Sequence, residues 1–197
     1  LPACGGDSQS SVENGGGSSG GGTTSTGGRV ITGGTGGVSG TGTVETGPWI
    51  YGLAEGDGSL VATALEGVPY DPNIGRGVIF HSSDGLEWSR VATDLPFVPY
   101  GVAYGNGRFV TLATQFDFYR DVYSAAAYWS DDGITWTLAE IPATQCGSRL
   151  AYGNGVFLGL CDGGHLRSED GTSWEKVGPG QEEAYGAGVD FAGGTFV

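Results

Sequence analysis

One short motif occurs three times. Residues 82–88 read SSDGLEW, residues 130–136 SDDGITW and residues 168–174 SEDGTSW, so Ser, any residue, Asp, Gly, two residues and Trp recur in fixed order. The tryptophans return after 48 and then 38 residues. A unit repeating at such a period cannot bury its apolar face alone and must stack on its neighbours, which makes the chain an array of like units. In the middle copy Asp131 stands beside Asp132, and the two invite reading as a catalytic carboxylate pair or a cation ligand. The other copies place Ser83 and Glu169 where the middle copy has Asp131, so only Asp132 belongs to the pattern and Asp131 sits at a freely varying position.

A second signature precedes each motif. It reads YGVAYGNGRFV at 100–110, AYGNGVFL at 151–158, a weaker YGLAEGDGSLV at 51–61, and GVDFAGGTFV at 188–197. The units therefore run over about 49–97, 98–146, 147–184 and 185–197, the last only begun. Each complete unit reads as two hairpins, the first with an Asn-Gly or Asp-Gly tip and the second with an Asp-Gly tip. Val, Ile, Phe, Tyr, Trp and Thr dominate the runs between tips, as half-buried strands prefer. Helical spacing is absent. Four-stranded units at this period are blades of a β-propeller, so the expected fold is all-β, with three blades and the start of a fourth. The chain is accordingly expected to be a piece of a longer propeller.

The repeated motif has a physical reading as a turn. The Asp carboxylate can accept backbone N–H groups of its own turn, the Gly adopts a backbone angle a Cβ resists, the Ser hydroxyl ties the preceding strand to it, and the Trp lays its ring on the neighbouring sheet. These structural roles fall to Ser82, Asp84, Gly85 and Trp88, to Ser130, Asp132, Gly133 and Trp136, and to Ser168, Asp170, Gly171 and Trp174. The motif resembles the Asp-box, or BNR repeat, of sialidase-like propellers. The pairing of AYGNGxF with SxDGxxW is similar to non-catalytic bacterial propellers and, more distantly, to the photosystem II assembly factor propeller. The resemblance covers residues 49–197. It implies a binding module. The catalytic form of the family needs three arginines on a substrate carboxylate, a Tyr nucleophile activated by Glu, and an acidic Asp. No early Arg-Ile-Pro-type motif is present, and no catalytic residue is assigned. A glycoside hydrolase completed by further blades and an assembly or scaffold factor are the alternatives.

Antiparallel strands sort the loops. The first and third turns of every blade fall on one face, and the second turn and the blade-to-blade connection on the other. The variable segments all lie on this second face, where loops on a rigid scaffold carry binding. Candidate binding residues are Tyr70, Asp71 and Arg76 in the first blade, Phe116, Phe118, Tyr119, Arg120, Asp121 and Tyr123 in the second, and Arg149 in the third. Aromatics beside acids and an arginine suit sugar stacking or a protein hot spot. Equally, these rings can pack against neighbouring loops.

Before the array, residues 5–47 hold 17 of the 41 glycines, mixed with Ser and Thr. Such a stretch buries too little apolar surface to offset chain entropy, so 5–48 is expected to be a flexible linker. At the start, LPACGG resembles the end of a bacterial lipoprotein signal, with residues 1–4 closing the signal and Cys4 the lipidated residue. That resemblance implies export and an outer-membrane or cell-surface location, with the membrane touched through the lipid anchor only. The net charge of −14 argues against nucleic acid, which demands basic patches. No cofactor is expected, because the Gly-rich stretches lack the Lys and helix of a phosphate loop. Nor is a metal, because His81 and His165 share no local ligand spacing. Cys146 and Cys161 flank the third blade's first hairpin, and a turn centred between residues 153 and 154 sets them opposite each other. A disulfide is expected there, with two buried thiols as the alternative.

Overall fold

The computed structural model describes residues 47–67, 75–117, 119–162, 164–178 and 189–197. The expected lipidation site Cys4, most of the expected linker, and the candidates Tyr70, Asp71 and Phe118 lie outside the described residues. Every regular element among the described residues is a β-strand. The first sheet holds β1 (Trp49–Gly56), β2 (Ser59–Glu66), β3 (Arg76–Ser82) and β4 (Ser89–Leu95). The second holds β5 (Val98–Gly105), β6 (Arg108–Asp117), β7 (Val122–Ser130) and β8 (Thr137–Glu140). The third holds β9 (Cys146–Gly153), β10 (Val156–Cys161), β11 (Gly164–Ser168) and β12 (Glu175–Val177). In each, strands pair in chain order and antiparallel. A last hairpin joins β13 (Phe191–Ala192) to β14 (Thr195–Phe196). The protein is a β-propeller with three four-stranded blades and the opening hairpin of a fourth.

Local chemistry sets the register. The first turn of each blade has two residues, Asp57-Gly58, Asn106-Gly107 and Asn154-Gly155, and all six take positive φ, between 49° and 80°. Two such residues make the turn whose twist matches that of its strands, and Asn, Asp and Gly tolerate it best.

Stacking of the blades rests on one repeated contact. Each of the three inner strands ends in a glycine, and an aromatic ring of the next unit lies on it. A β-carbon on Gly56 would stand 2.0 Å from the Tyr104 ring, on Gly105 2.2 Å from Tyr152, and on Gly153 2.1 Å from Phe191. Apolar side chains fill the space between sheets. Val61 and Ile79 of the first meet Val102 and Phe109 of the second. Val110 and Leu112 of the second meet Leu150, Phe157 and Leu166 of the third. Two buried threonines tie each sheet to the next inner strand: the Thr63 hydroxyl donates to the Tyr100 carbonyl, and the Thr114 hydroxyl to the Cys146 carbonyl at 3.1 Å. Leu53 holds the place of Val102 and Leu150, yet it is 61% exposed against 8% for each of them, because no described residue covers that face of the first sheet.

Cys146 and Cys161 form a disulfide, but not through the turn expected. The tip is Asn154-Gly155, with Gly153 paired to Val156 and Leu150 to Gly159. That register alone would set Cys161 opposite residue 148. An irregularity between Gly159 and Cys161 takes up the difference and pairs Cys161 with Cys146. The first two inner strands also break register, between Ile50 and Gly52 and between Pro99 and Val102. A bulge near the inner edge bends the strand and re-aims its side chains.

Candidate functional site

The propeller has two ends of different character. One end carries the short tips. There, the three repeated motifs build the same turn. Asp84 Oδ1 accepts the Leu86 and Glu87 N–H groups at 2.8 and 2.9 Å. Asp132 Oδ1 accepts those of Ile134 and Thr135 at 2.8 and 2.7 Å. Asp170 Oδ1 accepts those of Thr172 and Ser173, both at 2.7 Å. The Ser82, Ser130 and Ser168 hydroxyls donate to the same carboxylates. Gly85, Gly133 and Gly171 sit at φ 73–74°, and the indoles of Trp88, Trp136 and Trp174 donate to their carbonyls. Trp136 and Trp174 then pack on the core shared with the preceding blade.

These carboxylates are spent on their turns. Backbone N–H groups of Thr135 and Ile134 hold Asp132 at about 2, below its ordinary 3.8. At Asp84 the N–H groups of Glu87 and Leu86 lower the pKa. Burial raises that of Asp170, but the N–H groups of Ser173 and Thr172 outweigh it and the net shift is downward. A carboxylate so shifted is a poor proton acceptor near neutral pH and suits neither acid nor base chemistry there. Because the folded pKa is depressed, the stability it contributes is present above about 3.8 and lost as pH falls through about 2. Asp132→Ala should lower stability by about 1 kcal/mol, a low value for charged hydrogen bonds because the turn is wetted. Urea melts between about pH 5 and 2 should show a shallower acid loss for Asp132→Asn than for the parent chain. Identical acid slopes would refute the role.

The varying position inside the motif is less idle than expected. Asp131 Oδ1 accepts Arg108 Nε at 2.7 Å, and the Arg108 guanidinium lies over the Trp129 ring at 4.2 Å. Arg108 also donates to the Asp170 carbonyl at 2.8 Å. Glu169 pairs with Arg167 at 2.6 Å. Asn106 donates to the Glu169 carbonyl at 2.8 Å and accepts the Tyr152 hydroxyl at 2.7 Å. The tip end is thus a network that clamps blade to blade.

The opposite end holds the variable segments and a cavity. Tyr51, Gly52 and Leu53 of β1, Gly101 and Val102 of β5, Arg149 and Leu150 of β9, with Val189, Asp190 and Val197, enclose about 520 Å³. The inner strands line it on the half nearer the variable loops. Tyr51 leans on Tyr100 with ring centroids 4.8 Å apart. Arg149 is exposed. The other described arginines have carboxylate partners: Arg76 with Asp94, Arg90 with Glu66, Arg108 with Asp131, Arg120 with Asp117, and Arg167 with Glu169 and Glu175. Arg149 makes no such pair among the described residues. Arg76 lies elsewhere, in a second hollow of about 410 Å³ beside Glu66, Thr93 and Asp94. The candidates therefore do not converge: Arg149 faces the central cavity, Arg76 a peripheral one, and the aromatics of the second blade stand apart from both.

That last segment, QFDFYRDVYS, was expected to be a loop, and most of it is strand. β6 continues to Asp117 and β7 starts at Val122, with Phe116 opposite Tyr123 and ring centroids 4.6 Å apart. Asp117 Oδ1 accepts the Tyr119 and Arg120 N–H groups, and Asp121 takes φ 55° to close the tip. Aromatic and β-branched residues at 116, 122 and 123 favour pairing over an open loop. No group of three or more His, Cys, Asp or Glu side chains among the described residues is placed to hold a metal ion. No described helix is long and apolar enough to cross a membrane.

No protein-family model matches the chain, and no curated protein does. Solved structures do resemble it. An α-L-arabinofuranosidase from Fusarium graminearum in complex with an iminosugar inhibitor is 15% identical, with 72% of this chain and 48% of that one covered and a TM-score of 0.48. A glycoside hydrolase of the GH130 mannoside phosphorylase family, targeting β-1,2 mannosidic linkages in Candida mannan, is 16% identical over 66% and 48%, with a TM-score of 0.45. A GH43 endo-arabinanase from Bacillus licheniformis is 13% identical over 75% and 63%, with a TM-score of 0.43. The chain spans about half the length of the first two.

Proposed function

We propose that the protein is a non-catalytic binding module of the Asp-box type, exported and held at the cell envelope by a lipid on Cys4, in the outer membrane or at the cell surface. Its ligand, a protein or a carbohydrate, sits on the variable-loop face. The observation that carries this reading is the division of labour between the ends. The repeated carboxylates are consumed by their own turns, whereas Arg149 opens without an ion-pair partner into the 520 Å³ cavity on the other end. A cation left unpaired in a concavity favours a ligand with anionic or strongly accepting groups, and Tyr51 supplies an apolar ring beside it.

Glycan arrays and pull-down from outer membranes test this with the full chain and with Arg149→Gln. Loss of one charged hydrogen-bonding partner is expected to weaken capture about tenfold or more. Equal capture by both forms would remove the cavity from consideration. Hydrolysis of a fluorogenic sialoside by the full chain would replace the binding reading with a glycoside hydrolase. Capture of one membrane protein without any glycan would favour the assembly or scaffold factor. Metabolic labelling with a fatty acid should mark the parent chain and not Cys4→Ser, and equal labelling would overturn the anchor.

A further inference from the structure

We infer that the projecting ribbon of the second blade accepts an extended, basic peptide segment of a partner protein as an added strand along the free edge Val122–Ala125. The inference rests on the reading that the variable-loop face is the binding face, but it assigns a different part of that face and a definite ligand class.

Among the described residues the second blade outgrows its sheet the furthest. In the first blade β1 reaches Leu65 of β2 and β4 reaches Gly77 of β3, and among the described residues only the pair Glu66–Arg76 lies beyond them. In the third, β9 reaches Cys161 and β12 reaches His165. In the second, β5 stops opposite Thr114 and β8 stops opposite Ala126. The pairs Gln115–Ser124, Phe116–Tyr123 and Asp117–Val122 continue beyond both neighbours as a two-stranded ribbon. Three residues at about 3.4 Å each carry it about 10 Å past the rim. A two-stranded ribbon is marginal in water, and here the stacked Phe116 and Tyr123 rings and the Asp117 turn stiffen it.

Among the described residues its β7 edge has no guard. Exposed edges are usually blunted by Lys, Pro, a bulge or a covering segment. Val122, Tyr123, Ser124 and Ala125 include no charge and no proline, and their pairing with β6 is regular. Among the described residues no strand lies on their other side, and no backbone hydrogen bond reaches them outside the β6 ladder. The segment that could have covered them turns away instead: after Glu140, Ile141 packs into the core and Pro142 cannot continue the ladder. Val122 is 46% exposed, Tyr123 42%, and Tyr119 at the tip 91%.

The edge specifies its occupant. Donors and acceptors repeating every second residue, about 7 Å, match another peptide backbone, and a sugar has no such repeat. A second copy would bring a net charge of −14 against −14. Asp117, Asp121 and Glu140 flank the edge, and the nearby Arg120 already lies 3.8 Å from Asp117. A basic strand meets these carboxylates, and an apolar side chain on it meets Tyr123.

The test uses the full chain and a fluorescent peptide of about ten residues alternating Lys and Val, at low salt because the attraction is screened. Binding should protect the 122–125 amides from hydrogen exchange. Methylating every second peptide nitrogen, along each edge in turn, should weaken binding about tenfold for one edge only, as should exchanging Lys for Glu. Ser124→Lys, an exposed guard charge that leaves the urea melt unchanged, should do the same, while Arg149→Gln should have no effect. Equal binding of both methylated peptides, or protection centred away from β7, would overturn the inference. If the peptide fails while Arg149-dependent capture persists, the ribbon inference alone falls. If both fail, the loop-face reading falls with it.

Discussion

Gly105→Val should destabilise the protein by about 3 kcal/mol or more, near the upper end for overpacking a well-filled site. The added Cβ would stand 2.2 Å from two carbons of the Tyr152 ring. That ring cannot yield cheaply. It packs against the core between the second and third blades, leans on Phe157 at 4.8 Å, and gives its hydroxyl to Asn106 at 2.7 Å. Gly105 does not have a positive φ, so the cost is steric and not conformational. Gly107→Ala is the matched control. Its φ is 74° and no atom lies within 4 Å of a new Cβ, so it should cost only the backbone term, about 1–2 kcal/mol. A double-mutant cycle separates the causes. Tyr152→Ala alone removes a core ring, but in its presence Gly105→Ala should become nearly neutral, a coupling of roughly 2 kcal/mol. Urea unfolding of the four proteins reads it. Additive losses would mean that the ring and the glycine do not meet.

The same contact shows what can and cannot be read from sequence. Asn106-Gly107 and Asn154-Gly155 announce their turns because the required backbone angles are local and only a few residues tolerate them. The Ser-x-Asp-Gly-x-x-Trp turn is legible for the same reason: its donors and acceptors lie within a few residues, and three copies distinguish the fixed positions from the varying one. Tyr104-Gly105 and Tyr152-Gly153 are equally visible as a repeated pair. Their purpose is not, because each ring serves the glycine of the preceding blade, 48 and 47 residues away respectively. Adjacency in the chain hides a contact that exists only after stacking.

Position 131 fails in a similar way. Ser83, Asp131 and Glu169 look interchangeable, and their variation is real. Yet Asp131 and Glu169 are each bound by an arginine, Arg108 across the sheet and Arg167 two residues away, so the acid and its partner vary together from blade to blade. Arg149, already a candidate from the sequence, lines the central cavity beside a break in the β9 register, and that break carries no reliable local signal. The 116–123 segment misleads because it differs from its counterparts in the other blades, which places it among the variable loops. Phe116 faces Tyr123 and Asp117 faces Val122 across a tight tip, and that pairing decides for strand.

Breaking the Cys146–Cys161 disulfide should cost about 3 kcal/mol, the expectation for a closed loop of some fifteen residues. Its position makes the loss larger in consequence than in magnitude. Cys146 opens β9, the strand on which the third blade leans against the second, and its backbone is held in both directions by Thr114 of the second blade. One residue beyond Cys161, the Asp162 carboxylate accepts the Thr144 and Gln145 N–H groups at 3.0 and 2.8 Å and the Thr144 hydroxyl at 2.6 Å. Burial raises the Asp162 pKa, but these donors prevail and it lies below its ordinary value. Its contribution is therefore intact at neutral pH and lost in acid. Covalent and polar staples thus close the same junction between β10 and the segment leading into β9. Each backs up the other, so Cys146→Ser with Cys161→Ser and Asp162→Ala together should cost more than the sum of their separate effects. Thiol reduction of the parent chain should reproduce the cysteine variants, and hydrogen exchange should rise first at 146–150 and 157–161. Equal urea midpoints for the oxidised and reduced chains would show that stacking alone holds the third blade, and that the Asp162 latch is sufficient without the covalent bond.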